Sequence, residues 1–405
     1  MKSSQRNIRI LTWDYGNPKG GMGRSLQWIA DVLRRGGRNV RVMAPSVRHE
    51  DDETLLAFTN RFPGGHVLFS CFLPLAIACH PERRRRAAGD GETNFARVSR
   101  LFRRPAHGSS PLTMTRGDGP LRQDPDTLLI PVGSGGIFLF RMPKRVRTIA
   151  IVYHTYLQQA RFVPGQQWKR IFVPFERRTL AKADQVLCFC ADTAAVLQQS
   201  YGIDSVRITV LPHAIDLVSW SVASEMRRPE PGLCVCVARL EARKGVDVLL
   251  KAWPKVRVVF PHARLILVGD GHLRGAVDRA IRRSDESIER ISSLPFASLI
   301  SLMHRAQIAV CPSYLEGFGL SVAEAMAAGA PVVASDSDGI RNLITHGKNG
   351  WLTEAGDATA LADGIVHVLS DATLRHRLAT EARENSQERF DPINAEAKLL
   401  DALML

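Results

Sequence analysis

The sequence predicts an α/β protein built of two doubly wound, Rossmann-like parallel-sheet domains that face each other across a cleft. Strand and helix patterns alternate along the chain, a polar stretch interrupts them midway, and 405 residues suffice for two separate cores. The first unit is visible at once: "IRILT" (8–12) is a strand, a glycine loop follows, and Leu26, Ile29, Ala30 and Leu33 line one helix face. Gly36 ends that helix and "VRVMA" is the next strand. Further strands are expected at "TLLIPV" near 127, "RTIAIVYH" ending at His154, "ADQVLCFC" near 183 and "RITVLP" ending at Pro212. The polar "SEMRRPEPG" (224–232) marks the turn into a second series. That series holds the strand "LCVCVARL", the helix "GVDVLLKAW", the strand "RLILVGDG", a helix near 298–305, the strand "QIAVCPS" and the strand "PVVAS". The expected domains are 1–212 and 213–390, with a C-terminal helix at 391–405 that has the first domain as a candidate packing partner. Ligands of such sheets bind beyond the strand carboxyl ends, so both sets of loops point into one cleft.

A content of 45% hydrophobic and 23% charged residues is that of a soluble globular protein. Lys and Arg number 54 against 40 Asp and Glu, and the net charge of +14 calls for an anionic partner: nucleic acid, a phosphate-rich ligand or an acidic membrane surface. The seven cysteines lie in apolar runs without zinc-site or redox spacing, which fits buried, reduced thiols in a cytosolic protein. The N-terminus lacks the apolar core and cleavage site of a signal peptide. The longest apolar run, "VLFSCFLPLAIAC", is too short for a membrane span and contains Pro74.

Five stretches fall at strand ends and carry groups able to do chemistry. "GNPKGGMGRS" (16–25) is a glycine loop opening a helix, suited to a phosphate or a sugar, and equally to a plain tight turn. His154 ends an apolar strand, where a satisfied structural histidine is the commoner case. "ARLEARKG" places Arg239 and Lys244 before a helix, where two cations and a helix N-terminus can hold a diphosphate; a solvated surface loop is the alternative. Gly269 and Gly271 of "VGDG" leave room for a flat base or ribose. In "SYLEGFGLSVAEAMAAGAPVVAS" (313–335), Ser321 and Glu324 have the form of a capping box, Gly329 that of a left-handed terminator, and Pro331 forbids continuation. Glu316 and the Gly317-Phe318-Gly319 loop are unexplained by capping and point to an anion held at a helix end.

In this order the motifs resemble those of the retaining nucleotide-sugar glycosyltransferases of family 4, which have the two-domain GT-B fold. The resemblance covers nearly the whole chain and is strongest from Val235 to Leu352. Glu316 and Glu324 match the family's two-glutamate motif, Arg239 and Lys244 its phosphate-binding pair, Gly20 and Gly21 its glycine loop, and His154 its N-domain histidine. The resemblance implies transfer of a sugar, with retention, from a nucleoside-diphosphate donor to a hydroxyl acceptor, with no metal and no other cofactor. It implies that Arg239 and Lys244 hold the diphosphate, Glu324 the ribose hydroxyls, and Glu316 the transferred sugar. The amides around Phe318, Gly319 and Leu320 contact sugar or phosphate, and His154 contacts the sugar near the reacting carbon. The glutamates then position the donor and are not a hydrolase's acid and nucleophile. Two departures stand out: Pro212-His213-Ala214 replaces the usual Pro-Asn-Gly, and Cys190 stands where serine is common.

Residues 80–124 carry "PERRRR" and "FARVSRLFRRP", with Phe95, Val98, Leu101 and Phe102 at helical spacing among arginines. Either this is a cationic amphipathic helix at 80–104 that lies on an anionic membrane near a lipid-linked acceptor, or a helix packed on its own domain with a solvated arginine face. The expected location is cytoplasmic, with the inner membrane face as a candidate peripheral site. A nucleotide-sugar-binding protein without turnover and a basic nucleic-acid binder are the competing readings. The intact glutamates and cations speak against the first, and the lack of any binding module speaks against the second.

Overall fold

The computed structural model describes residues 7–12, 21–44, 53–54, 127–132, 146–222, 229–283 and 286–403. They form two wholly parallel sheets, as the alternating elements predict. The first comprises β1 (Asn7–Leu11), β2 (Asn39–Ala44), β3 (Glu53–Thr54), β4 (Thr127–Pro131), β5 (Arg147–Val152), β6 (Gln185–Cys188) and β7 (Ile208–Val210). Their spatial order is β3-β2-β1-β4-β5-β6-β7. The second comprises β8 (Leu233–Val237), β9 (Arg264–Val268), β10 (Ile288–Ile291), β11 (Ile308–Cys311), β12 (Val332–Asp336) and β13 (Trp351–Glu354), ordered β10-β9-β8-β11-β12-β13. Each sheet starts in its interior and reverses direction, between β1 and β4 in one and between β8 and β11 in the other. Loops diverge at such a switch point and leave a crevice beyond the strand carboxyl ends.

The central strands bury both faces, and their side chains alternate between two cores. Ile149 and Ile151 of β5 enter one apolar cluster while Ala150 and Val152 enter another. In β8, Leu233 and Val235 face the first cluster, whereas Cys234 and Cys236 share the opposite face. The five described cysteines are buried free thiols, as their apolar surroundings predict. The helix Gly21–Arg35 buries the predicted face, with Leu26, Ile29, Ala30 and Leu33 all at 0% exposure, and Gly37 in the left-handed region (φ 75°) terminates it. The helix Pro392–Ala402 follows the second sheet but lies on the first: Glu396 pairs with Arg35, and Leu399 and Leu403 are fully buried in the shared cluster. No described helix is long and apolar enough to cross a membrane.

Candidate active site

The site grows from the switch point of the second sheet, where the segments leaving β8 and β11 run side by side. The Tyr314 amide donates to the Arg243 carbonyl at 2.9 Å and ties the two segments together. Gly245, at φ +62°, begins the helix Val246–Val259, and a Cβ there would strike the Pro312 carbonyl. Only glycine lets the Lys244 turn sit this close to the exit of β11.

On that frame stands a chain of alternating charges. Arg239 Nη2 lies 2.5 Å from Glu241 Oε1, and Arg243 Nε lies 3.2 Å from Glu241 Oε2. Arg243 Nη1 is 3.2 Å from Glu316 Oε2, while Lys244 Nζ is 2.5 Å and Ser313 Oγ 2.8 Å from Glu316 Oε1. Glu316 is 4% exposed. Burial alone pushes its carboxyl up, but the charges of Lys244 and Arg243 and the bonds from Lys244 and Ser313 outweigh that and hold it at about 2. Three cations against two carboxylates leave the cluster net positive.

His154 follows β5 of the first sheet and is drawn to this cluster by a close approach of the two domains. Gly317 makes the approach possible, since a Cβ on it would strike the Tyr153 carbonyl. Burial, then the positive charges of Arg243 and Lys169, lower the His154 pKa to about 3, so the imidazole is neutral. Its tautomer follows from its neighbours. Lys169 Nζ donates to Gln159 Oε1, which turns the amide nitrogen toward the ring, and Gln159 Nε2 donates to His154 Nδ1 at 3.0 Å. Nδ1 is therefore the acceptor, and Nε2 carries the proton.

Glu324 accepts from Arg24 Nη1 at 2.7 Å, a contact that joins the helix Gly21–Arg35 to the second domain. The expected capping box at Ser321 and Glu324 is not formed. The helix Leu320–Ala327 starts two residues earlier, with Gly319 at φ 96° in the cap position and no side-chain cap, which frees Glu324 for Arg24. A real capping box lies at Thr155 and Gln158, directly after His154: Gln158 N donates to Thr155 Oγ1 at 3.1 Å, and Thr155 N to Gln158 Oε1 at 2.9 Å. Gln158 Nε2 then reaches across to Asp338 Oδ2 at 2.9 Å.

The structure thus brings Arg239, Lys244, Glu316 and His154 together, with Glu324 and the Phe318-Gly319-Leu320 turn on the same loop and helix. The Phe318 side chain is buried and packs on His213 and Phe390. Gly269 and Gly271 sit against protein: a Cβ on either would meet the backbone of Ala238 or Leu240, so their smallness accommodates the Arg239 segment itself. Gly21 begins the first helix, whereas Gly20, the rest of the loop before it and the basic segment 80–124 lie outside the described residues. Sequence reasoning missed Glu241, Arg243, Arg24, Gln159 and Lys169. The alternating charges of "RLEARK" and the Thr-x-x-Gln after His154 were the available signals.

Comparison with known proteins identifies the family and the fold. The family model for glycosyltransferase family 4 matches residues 19–219, and that for glycosyl transferases group 1 matches residues 223–385. A glycogen synthase of Mycobacterium tuberculosis is 31% identical over 212 residues, 52% of this chain and 51% of the relative. A phosphatidyl-myo-inositol mannosyltransferase of the same organism is 36% identical over 204 residues, 48% of this chain and 52% of the relative. The chain therefore spans about half the length of the curated relatives it matches. The solved sucrose-phosphate synthase of Thermosynechococcus elongatus superposes with a TM-score of 0.73 at 17% identity, covering 99% of this chain and 98% of its own. The two family models follow one another along the two sheets, and the chain belongs to the family-4 glycosyltransferases of the GT-B fold.

Proposed function

We propose that the protein is a retaining, metal-independent glycosyltransferase that moves a sugar from a nucleoside-diphosphate donor to a hydroxyl acceptor on a cell-envelope glycan or glycolipid. The observation that carries this reading is the net-positive cluster of Arg239, Arg243 and Lys244 with Glu241 and Glu316, placed at a sheet switch point beside neutral His154. In the proposed step the acceptor oxygen bonds to the anomeric carbon while the bond from that carbon to the diphosphate oxygen breaks on the same face. The acceptor's proton passes to a phosphate oxygen of the departing diphosphate. Arg239 and Lys244 neutralise the charge that accumulates there, work that a divalent metal does elsewhere. Glu324 takes the ribose hydroxyls in place of Arg24, and Glu316 accepts from hydroxyls of the transferred sugar. The amides of Phe318, Gly319 and Leu320 steady sugar or phosphate, and His154 Nε2–H donates to the sugar. A glycosidase reading fits poorly, because a general acid needs a raised pKa and Glu316 is held at about 2.

The test is a thermal-shift panel of uridine, guanosine and adenosine diphosphate sugars on the wild type, Lys244→Ala and Glu324→Ala, followed by release of nucleoside diphosphate. A donor at a hundredfold its dissociation constant adds about 2.7 kcal/mol. One donor should stabilise the wild type without added metal, lose that effect in both variants, and be consumed. Stabilisation that ignores both substitutions overturns the site assignment, and binding without consumption favours a non-catalytic binding protein.

A further inference from the structure

Among the described residues eleven large apolar side chains are exposed, and four of them, Phe162, Trp168, Ile171 and Phe175, fall in the single stretch 162–175. Trp168 is 56% and Ile171 61% exposed. The stretch is a 3-10 turn, Gln167–Phe172, running directly into the helix Val173–Lys182. At helical spacing Trp168, Ile171 and Phe175 share one side, and the exposed Arg170, Arg177 and Arg178 occupy the side next to it. Lys169 and Glu176 point the other way. Lys169 reaches Gln159 beside His154, and Glu176, at 0% exposure, accepts from the Tyr156 amide and the Tyr201 hydroxyl. These inner contacts fix which face looks outward.

The outward face has one sign of charge. Between 161 and 178 the only acidic residue is Glu176, which is buried, while Arg161, Arg170, Arg177 and Arg178 are exposed. Arg170, Arg177 and Arg178 rim an open cavity of about 700 Å³ with Leu157, Val173 and Pro174 on its floor. Arginines around an apolar floor, next to a ridge of Trp, Ile and Phe, match a ligand that is anionic at its head and apolar behind it. Four exposed arginines with no exposed acidic residue between 161 and 178 give this face the uniform positive charge that an anionic lipid surface attracts. We propose that this face, 161–178, docks on an anionic phospholipid surface. Trp168, Ile171 and Phe175 enter the boundary between headgroups and acyl chains, and the arginines meet lipid phosphates. The same stretch carries Lys169 to the candidate active site, with Nζ 5.9 Å from the Trp168 ring centre, so the docked face adjoins the cleft. The proposal is independent of which sugar moves and concerns a different part of the chain from 80–104.

Vesicle flotation of the full-length protein tests it, with phosphatidylcholine vesicles compared with phosphatidylcholine containing phosphatidylglycerol. The protein should float only with the anionic vesicles, and less as salt rises. Trp168→Asp with Ile171→Asp, and separately Arg161→Glu with Arg170→Glu, should each lower partitioning by about tenfold or more at an unchanged melting temperature. Should the aspartates unfold the chain, Trp168→Ala and the arginine pair carry the test. Failure to float with phosphatidylglycerol vesicles at low salt overturns the proposal. So does flotation that survives both double variants, which would assign membrane contact to another segment. Self-association that these variants abolish, without vesicle binding, would make the occupant a second copy of the chain and equally defeat it.

Discussion

Two side chains of the cleft, Glu316 and His154, hold their charge states for opposite reasons. His154 is neutral chiefly because burial and neighbouring cations oppose its proton, whereas Glu316 is ionised because Lys244 and Arg243 overcome its burial. The folded pKa of Glu316, about 2, lies below its ordinary 4.5, so its contribution is full above pH 4.5 and is lost as pH falls toward 2. At one pKa unit per 1.36 kcal/mol that contribution is about 3 kcal/mol at neutral pH. Glu316→Gln should therefore lower stability at pH 7 by about 3 kcal/mol, since two half-buried cations lose their counter-charge. Denaturant melts from pH 7 to pH 3 check this, because the gap between variant and wild type should narrow below pH 4.5 as the carboxyl of the unfolded wild type takes up a proton that the native site does not. A constant gap would mean that packing, and not charge, is what the glutamate supplies. Arg239, Lys244 and Glu316 were legible in the sequence because each matches a residue of a family motif, whereas Arg243 matches none. The role of Arg243 depends on a glutamate 73 residues away that only the sheet switch point brings beside it.

Elements were more legible than the contacts between them. Strands such as β5, β8 and β11 announced themselves as short apolar runs, and Leu26, Ile29, Ala30 and Leu33 marked a helix by period alone. The helix start at Gly319 was misread, because a Ser-x-x-Glu pattern looks the same whether its glutamate caps a helix or pairs with a distant arginine. The helix Val173–Lys182 carries a less visible anchor. Burial raises the Glu176 pKa to about 7, against the lowering effect of the Tyr201 and Tyr156 hydrogen bonds, and its Oε1 has no partner. A folded pKa above the ordinary 4.5 means that the native state keeps a proton that the unfolded chain gives up. Stability is therefore complete below pH 4.5 and declines as pH rises through 7. Glu176→Gln keeps an acceptor for Tyr156 and Tyr201 without ever carrying charge. It should melt with the wild type at pH 5 and above it at pH 8; equal melting points at both would show that the carboxylate is stabilised by something other than these two donors.

At the scale of the whole molecule the two sheets are one hydrophobic unit, since a single cluster runs from Ile10, Leu129 and Ile151 to Val235, Cys311 and Val332. An aromatic chain threads it. Tyr153 stacks on Phe189 at 4.7 Å, Phe189 meets His213 at 5.7 Å, His213 meets Phe318 at 5.2 Å, and Phe318 meets Phe390 at 5.7 Å. Trp28 stacks on His213 from the first helix at 5.7 Å. His213 occupies the place where the family pattern has asparagine, and the departure acquires a physical reason: an imidazole there is a flat plate joining residues of both domains. It is 4% exposed, and burial lowers its pKa to about 4. Nδ1–H donates to the Ala214 carbonyl at 3.0 Å, while buried Nε2 has no partner. Its folded pKa lies below the ordinary 6.5, so stability is lost as pH falls from 6.5 toward 4, where the unfolded chain takes up a proton that the native site refuses. His213→Phe keeps the plate, removes the unpaired nitrogen and abolishes the titration. It should match or exceed the wild type at pH 7 and gain on it as pH falls through 6.5. His213→Ala leaves a void between the domains and should cost about 3 kcal/mol. Calorimetry separates the two roles of this residue. Wild type and His213→Phe should melt in one transition, whereas His213→Ala should broaden or split it as the two sheets uncouple. A single, unshifted transition in the alanine variant would mean that coupling runs instead through Arg24–Glu324, Gln158–Asp338 and the helix Pro392–Ala402.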